Sequence, residues 1–235
     1  MTRGVSLAAV LVAVSVQSVS AQGACKDMTR FFAKPPELGR WAEMRMDMQK
    51  DHGTKPVNMR VAFVDREQRA GKTFYRMQMT MAHQDGKRQV MQVLTPWGPE
   101  MLDGEYDTEL VMKMGDQPAV VMPVKGDKAQ PGMADLRKHC DKIQFVGEEK
   151  VTVPAGTFET RHYAGPDGES WVAPNVPGWR LVRMVTAKGD SMVLTGMGTG
   201  EKNSITEKPV DMQSMMGNPE MVKRMMEAQK AEEAK

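Results

Sequence analysis

Methionine alternates with polar residues along two stretches in the first half of this chain. The stretches AEMRMDMQK (42–50) and TFYRMQMTMAH (73–83) carry methionine at every second position: Met44, Met46, Met48, Met77, Met79 and Met81. Side chains two positions apart on an extended chain point to the same side, so each stretch has one apolar and one polar face. This period of two predicts half-exposed β-strands.

Other stretches show strand character as well. Val57, Met59, Val61 and Phe63 share one face of VNMRVAFVD. Further strands are expected at 87–95, 109–114, 119–124, 149–153, 157–164, 169–174, 181–187 and 191–197. The links between them are short and rich in turn residues, which leaves little room for crossover helices. The sequence therefore predicts an up-and-down antiparallel sheet with one face covered and the other in water.

Two local signals refine this picture. Pro154 and Gly156 predict a type II turn between two of the later strands, because proline fixes φ and glycine accepts a positive φ. Asn218, which precedes a proline, predicts the start of a C-terminal helix whose apolar stripe includes Met221 and Met225. A short helix is also expected at about 133–142.

The first residues predict a cleaved export leader. Arg3 precedes an apolar run, 5–16, that is too short to span a hydrocarbon core of about 30 Å as a helix. Ala21 closes an A-x-A-like cleavage site, so residues 1–21 are expected to be a signal peptide and the protein to be periplasmic. In the alternative, the protein is a membrane-anchored lipoprotein acylated at Cys25.

The remaining length fits one domain, with residues 22–210 as a β-rich unit and 211–235 as the C-terminal helix and a charged tail. Cys25 and Cys140 are the two cysteines of the chain. An oxidising compartment favours a disulfide bond between them.

Charge and motifs argue against several classes of function. Loss of Arg3 with the leader leaves 31 basic and 30 acidic residues, which gives no electrostatic reason to expect nucleic acid as a partner. The sequence has no nucleophile elbow, zinc-protease motif, phosphate-binding loop or C-x-x-C pair. The four histidines are scattered. We therefore expect a protein that is not an enzyme and has no cofactor.

Methionine is the unusual component, with 24 residues in 235. Its thioether is flexible and polarizable, so a methionine surface can repack around ligands of different shape. Three uses remain open: a soft core, the lining of a pocket for an acyl chain, and capture of a soft metal such as Cu(I). The candidate ligand-binding residues are Met44, Met46, Met48, Met59, Phe63, Met77, Met79, Met81, Met221 and Met225. The weaker candidates for a metal are Met212, Met215 and Met216.

The segment VTVPAGTFETRHYAGPDGESWVAPNVPGWRLVRM (151–184) resembles the second half of bacterial envelope domains of the DUF4412 and DUF3108 kind. Those domains are similar to the lipoprotein-carrier, LolA-like and LolB-like, fold. The resemblance extends over roughly 39–200 and includes GRWAEMRMDMQ, TFYRMQMTM and VVMPV. It implies a mainly β half-barrel, a curved antiparallel sheet with helices across its concave face. The V-P-A-G-T-F hairpin, Val153 to Phe158, is then structural.

Together these patterns predict a non-enzymatic periplasmic module that binds a hydrophobic molecule such as an acyl chain or lipid. The alternatives are a Cu(I)-binding or oxidation-buffering envelope protein, and a structural envelope protein without a small ligand. Contact with the membrane surface or with another envelope protein fits each of these functions. The sequence does not determine the oligomeric state.

Overall fold

A computed structural model describes residues 33–48, 56–82, 88–97, 108–124 and 142–212. Twelve strands in these ranges form one sheet. They are β1 (Trp41–Asp47), β2 (Val57–Arg69), β3 (Lys72–Ala82), β4 (Arg88–Pro96), β5 (Thr108–Met114), β6 (Val120–Val124), β7 (Gln144–Val153), β8 (Gly156–Gly165), β9 (Gly168–Val172), β10 (Leu181–Thr186), β11 (Ser191–Gly198) and β12 (Val210–Asp211).

The sheet joins two antiparallel meanders. Its order is β12-β6-β5-β4-β3-β2-β1-β11-β10-β9-β8-β7, so β1 to β6 form one meander and β7 to β11 the other. The two meet where β1 pairs antiparallel with β11, and β12 adds to β6 in parallel. The order ends with β12 on one side and β7 on the other, and the sheet is not closed. The predicted antiparallel sheet and its strands are thereby confirmed, apart from the parallel β12.

The register brings the methionines together on one face. Met59 lies opposite Met44 on one side and Met81 on the other. Met79 lies opposite Met91 in the next strand. Because residues at paired positions point to the same side of a sheet, the alternating stretches form a continuous apolar surface across β1 to β4.

The opposite face of the central strands is covered too, which the sequence did not predict. After β11 the chain crosses this face as residues 199–211, which we call the strap, and ends as β12 beside β6. Gln78 and Gln92 lie beneath it and are 1% and 2% exposed. The prediction that the second face of the sheet is in water was therefore wrong for β3 and β4.

The sheet is strongly curved at the β7 end. Val153 and Phe158, at the tip of the β7–β8 hairpin, pack in one cluster with Met44 of β1 and Leu194 of β11. The amide of Ala155 also donates to the carbonyl of Leu194 at 3.4 Å. Since β8 and β11 are separated by two strands in the sheet order, the hairpin reaches them by folding over the apolar face.

The turn at this hairpin differs from the prediction. Val153 pairs with Gly156, so Pro154 and Ala155 are its two central residues. Gly156 has the expected positive φ of 133°, but Ala155 is not among the residues with positive φ. A type II turn requires a positive φ at the second central residue, so the type II prediction was wrong. Glycine directly after the central pair is instead typical of a type I turn.

Helices across the concave face are not found among the described residues. The helix predicted near 133–142 lies outside the described residues except for Lys142, and the one predicted after Asn218 lies wholly outside them. In the described part, a loop and the β7–β8 hairpin cover the apolar face instead. No helix in that part is long and apolar enough to cross a membrane.

Candidate binding site at the end of the methionine face

The apolar surface of β2 to β4 is largely a closed core. We call it the methionine face. Its buried residues are Met59, Val61, Phe63, Tyr75, Met77, Met79 and Val93. Partly buried residues pack around them: Met46, Met81, Met91, Trp97, Leu110, Trp179 and Met192. The structure thus brings together most of the predicted ligand-binding residues, and it packs their side chains against one another.

The loop between β9 and β10, residues 173–180, lies over this face. A hydrogen bond of 2.8 Å from the amide of Ala173 to the carbonyl of Arg180 closes the loop. Gly178 has a φ of +67°, and a Cβ at this position would lie 3.2 Å from Cγ1 of Val61. The loop therefore sits directly on the sheet, and the missing side chain of Gly178 allows this close approach.

The other predicted residues have different locations. Met44 belongs to the neighbouring cluster under the β7–β8 hairpin, and Met192 packs against both clusters. Met48 follows β1 and is exposed, as is Met212 at the end of the strap. Met215, Met216, Met221, Met225, Cys25 and Cys140 lie outside the described residues. The disulfide bond and the C-terminal part of the predicted site therefore stay predictions.

A cavity of about 780 Å³ opens at the end of the methionine face where Phe63 lies. Its walls come from the segment before β1, the 173–180 loop, the β7–β8 hairpin and the end of β4. We call it the end cavity. Clefts of this size are ordinary for small-molecule sites, which usually combine an apolar lining with a few placed polar groups.

Aromatic rings and prolines form the apolar part of the end cavity. Trp97 lines it, with Phe63 packed behind at 5.1 Å between ring centroids in an edge-to-face arrangement. The indole Nε1 of Trp97 donates to the carbonyl of Lys34 at 2.9 Å. Pro35, Pro36, Pro174 and Pro177 complete this part of the lining. Rings whose χ angles are fixed by packing present apolar surface at little cost in conformational entropy.

The walls of the cavity are tied to one another by hydrogen bonds. The amide of Gly39 donates to the carbonyl of Phe63 at 2.8 Å, which holds the N-terminal segment against β2. Arg40 donates from Nη2 to the carbonyl of Asn175 at 3.1 Å, which joins that segment to the 173–180 loop. The end cavity is therefore a space between connected walls.

Charged side chains form the rest of the lining. The basic ones are Lys34, Arg40, Arg161 and Arg180, and the acidic ones are Glu37, Glu148 and Glu159. Burial lowers the pKa of Arg180, and the positive charge of Arg40 lowers it further. Two guanidinium groups are thus close enough to repel each other at one side of the cavity.

Among the residues that line this cavity, sequence reasoning named only Phe63 as a candidate. Arg40, Trp97 and Arg180 lie outside or at the ends of strands, where no period marks the direction of a side chain. Two signals were available. The run APNVPGWR (173–180) is too rich in proline and glycine for a strand, and it joins two predicted strands with more residues than a tight turn needs.

Metal chemistry has limited support in the described part. No group of three or more His, Cys, Asp or Glu side chains suited to a metal ion is found there. Met59, Met77 and Met79 are buried against other apolar groups. Cu(I) capture or oxidation needs an accessible sulfur atom, so within the described residues these functions would fall to exposed methionines such as Met48 and Met212.

Neither a protein-family model nor a curated protein matches this chain. One similar solved structure is that of a candidate lipoprotein from Parabacteroides distasonis ATCC 8503, which is 13% identical with a TM-score of 0.35 over 70% of this chain and 97% of that one. Another is a candidate exported protein with a YmcC-like fold from Bacteroides fragilis NCTC 9343. It is 16% identical, with a TM-score of 0.35, over 70% of this chain and 98% of that one. At this TM-score the structural likeness carries no conclusion about function, and the resemblance to DUF4412 and DUF3108 domains stays a prediction.

Proposed function

We propose that this chain is an exported, non-enzymatic binding protein that takes the apolar part of a small ligand into the end cavity. The observation that carries the proposal is the position of this cavity. It opens at one end of the methionine face, with Trp97 in its lining and Phe63 directly behind. The export rests on the leader of residues 1–21.

The neighbouring methionines support this function through their chemistry. Phe63 belongs to the same packed cluster as Met77 and Met59. Methionine has three rotatable side-chain bonds and a polarizable sulfur, so this cluster can rearrange at lower cost than one of branched side chains. A ligand chain that reaches beyond Phe63 would therefore be accommodated by movement of these methionine side chains. The methionine face would thus serve as an adaptable wall of the binding site.

Native mass spectrometry of the protein, exported with its own leader and purified without detergent, tests for a bound molecule. The matched solution experiment is a titration with a fluorescent acyl-chain probe. Asn175→Trp places a large ring at the edge of the end cavity, whereas Lys188→Trp places the same ring on the exposed turn after β10. We expect the Kd of the probe to rise about tenfold or more in Asn175→Trp and to stay unchanged in Lys188→Trp. Equal affinity in both variants, or no binding to the wild-type protein, would contradict the proposal.

A further inference from the structure

Two arginines from distant parts of the chain meet at the 173–180 loop. Arg40 precedes β1 and donates from Nη2 to the carbonyl of Asn175 at 3.1 Å. Arg180 ends the loop and donates from Nη1 to the carbonyl of Pro174. Because these carbonyls belong to consecutive residues, both guanidinium groups are anchored side by side at the wall of the end cavity.

Arg180 lies in an environment that is unfavourable for its charge. Burial and the charge of Arg40 both lower the pKa of Arg180, which means that the charged form of Arg180 is destabilised where it lies. The Nε atom of Arg180 is buried and has no hydrogen-bond partner among the described residues. Arg180 also has a φ of +58°, a region that residues other than glycine rarely adopt. Backbone strain at a residue that lines a cavity is a common feature of functional sites.

The acidic side chains around the end cavity neutralise this pair only in part, although the charge of Glu37 counteracts some of the lowering of the pKa of Arg180. Glu37 is shared between Lys34 and Arg40, at 3.5 Å from each. The side chains of Glu148 and Glu159 are each 75% exposed, whereas that of Arg161 is 26% exposed. The lining therefore has four basic and three acidic side chains, and the carboxylates of its two ion pairs with arginine are more exposed than their arginine partners.

We infer that the end cavity selects amphipathic ligands with an anionic head, a carboxylate or a phosphate, held between Arg40 and Arg180. This inference rests on the proposed function and adds the chemical class of the ligand. Guanidinium groups bind carboxylate and phosphate through paired, charge-assisted hydrogen bonds. An anion between the two arginines would offset their mutual repulsion. Its apolar chain would lie against Trp97.

The test compares head groups on one chain length. Dodecanoate, dodecyl phosphate, dodecanol and dodecyltrimethylammonium are titrated below their aggregation limits by calorimetry, with inorganic phosphate as a fifth probe. We expect the carboxylate and the phosphate to bind about 10- to 100-fold more tightly than the alcohol, and the ammonium compound more weakly than the alcohol. The stronger of the two anions identifies the head group as that of a fatty acid or of a phospholipid.

Variants assign the effect to the two arginines. Arg180→Gln and Arg40→Gln should each abolish the preference for the anions over the alcohol, measured as the ratio of the two affinities within the same variant. Arg88→Gln, at the exposed start of β4 and so at the opposite end of that strand from Trp97, removes the same charge and should leave this ratio unchanged. Circular dichroism of each variant checks its folding, and the head-group ratio of the wild-type protein tests the inference even if one variant does not fold.

The outcomes separate this inference from the proposed function. If none of the dodecyl compounds binds, the proposed function fails. If all bind with the same affinity, the binding function stands and the anionic selectivity is wrong. If inorganic phosphate binds as tightly as dodecyl phosphate, the amphipathic ligand is wrong, because the chain then contributes nothing.

Discussion

Met77 and Gln78 are neighbours on β3, point to opposite faces of the sheet, and are both almost completely buried. Met77 lies among other apolar side chains that need no particular partner. The amide of Gln78 makes a set of directed hydrogen bonds, because a buried amide without partners is costly. The two faces of one strand are therefore closed by different physical means.

The hydrogen bonds of Gln78 show how specific the closure of the polar face is. Its Oε1 accepts from Nε2 of Gln92 at 2.9 Å and from the amide and the hydroxyl of Ser204 at 3.0 and 2.7 Å. Its Nε2 donates to Oε1 of Glu201 and to the carbonyl of Lys202, both at 3.3 Å. Gln78 alone thus bonds to three residues of the strap, Glu201, Lys202 and Ser204. The methionine face tolerates changes in shape, whereas the glutamine pair tolerates few changes in its partners.

Truncation on the apolar face should have the largest effect. Met77→Ala removes a buried side chain from the middle of the methionine face and should lower the free energy of unfolding by about 2–5 kcal/mol. Met77→Leu keeps the volume and should cost less than about 1.5 kcal/mol. Met197→Ala, at an exposed position of β11, is the control. Urea titrations measure all three, and an equal loss from Leu and Ala would show that this face is not adaptable.

Removal of the buried amide should have the next largest effect. Gln78→Leu leaves the amide of Gln92 and the donors of Ser204 with fewer acceptors, so we expect a loss of about 1–3 kcal/mol. The double variant with Gln92→Leu should cost less than the sum of the two single changes, because the orphaned partner is removed as well. A double-mutant cycle from urea titrations measures this coupling. Additive losses would mean that the two glutamines act independently.

A substitution in the 173–180 loop should have a smaller effect on stability, and the same substitution at a second glycine serves as its control. Gly178→Ala introduces a side chain at a φ of +67° and within 3.2 Å of Val61. Gly71→Ala has a similar φ of +77° but meets nothing within 4 Å. The backbone cost of about 1–2 kcal/mol should be common to both, so the excess loss in Gly178→Ala measures contact between loop and sheet. Equal thermal midpoints for the two variants would show that the loop is not tightly seated.

Acid should loosen the strap slightly. Lys113 donates to Glu207, and this hydrogen bond lowers the pKa of that carboxyl below its ordinary value. The stabilisation is complete above the pKa that the carboxyl has in the unfolded chain, and it disappears as the pH falls through the lower pKa of the folded state. The wild-type protein should therefore lose more of its thermal midpoint than Glu207→Gln between neutral pH and pH ~3. Equal losses of thermal midpoint in the two proteins would show that this ion pair does not contribute to the pH dependence of stability.

The strands could be predicted from sequence because period two depends only on backbone geometry. The positions of β1 to β3 follow from residues such as Met44, Met59 and Met79, whose neighbours are polar on both sides. The strap could not be predicted this way. Its segment EKNSITEKP (201–209) has one buried apolar residue, Ile205, and it covers the sheet through hydrogen bonds that leave no hydrophobic pattern.

The end cavity was hidden for a related reason. Arg40 and Arg180 are separated by more than half of the chain, and they meet only because β1 pairs with β11 and the 173–180 loop folds back over β2. Strand patterns do not determine which loop lies over which face. The predicted methionines therefore located the apolar face correctly, while the polar half of the candidate site needed the tertiary fold.

The register of the outer strands has a consequence for assembly. β12 is two residues long, and β7 is interrupted by a register shift between Phe145 and Gly147 and carries Glu148, Glu149 and Lys150 in succession. Short, bulged and charged margins are poor templates for another chain. Among the described strands, neither edge of the sheet therefore offers a good site for pairing with a strand of another chain. This disfavours edge-to-edge aggregation at high concentration.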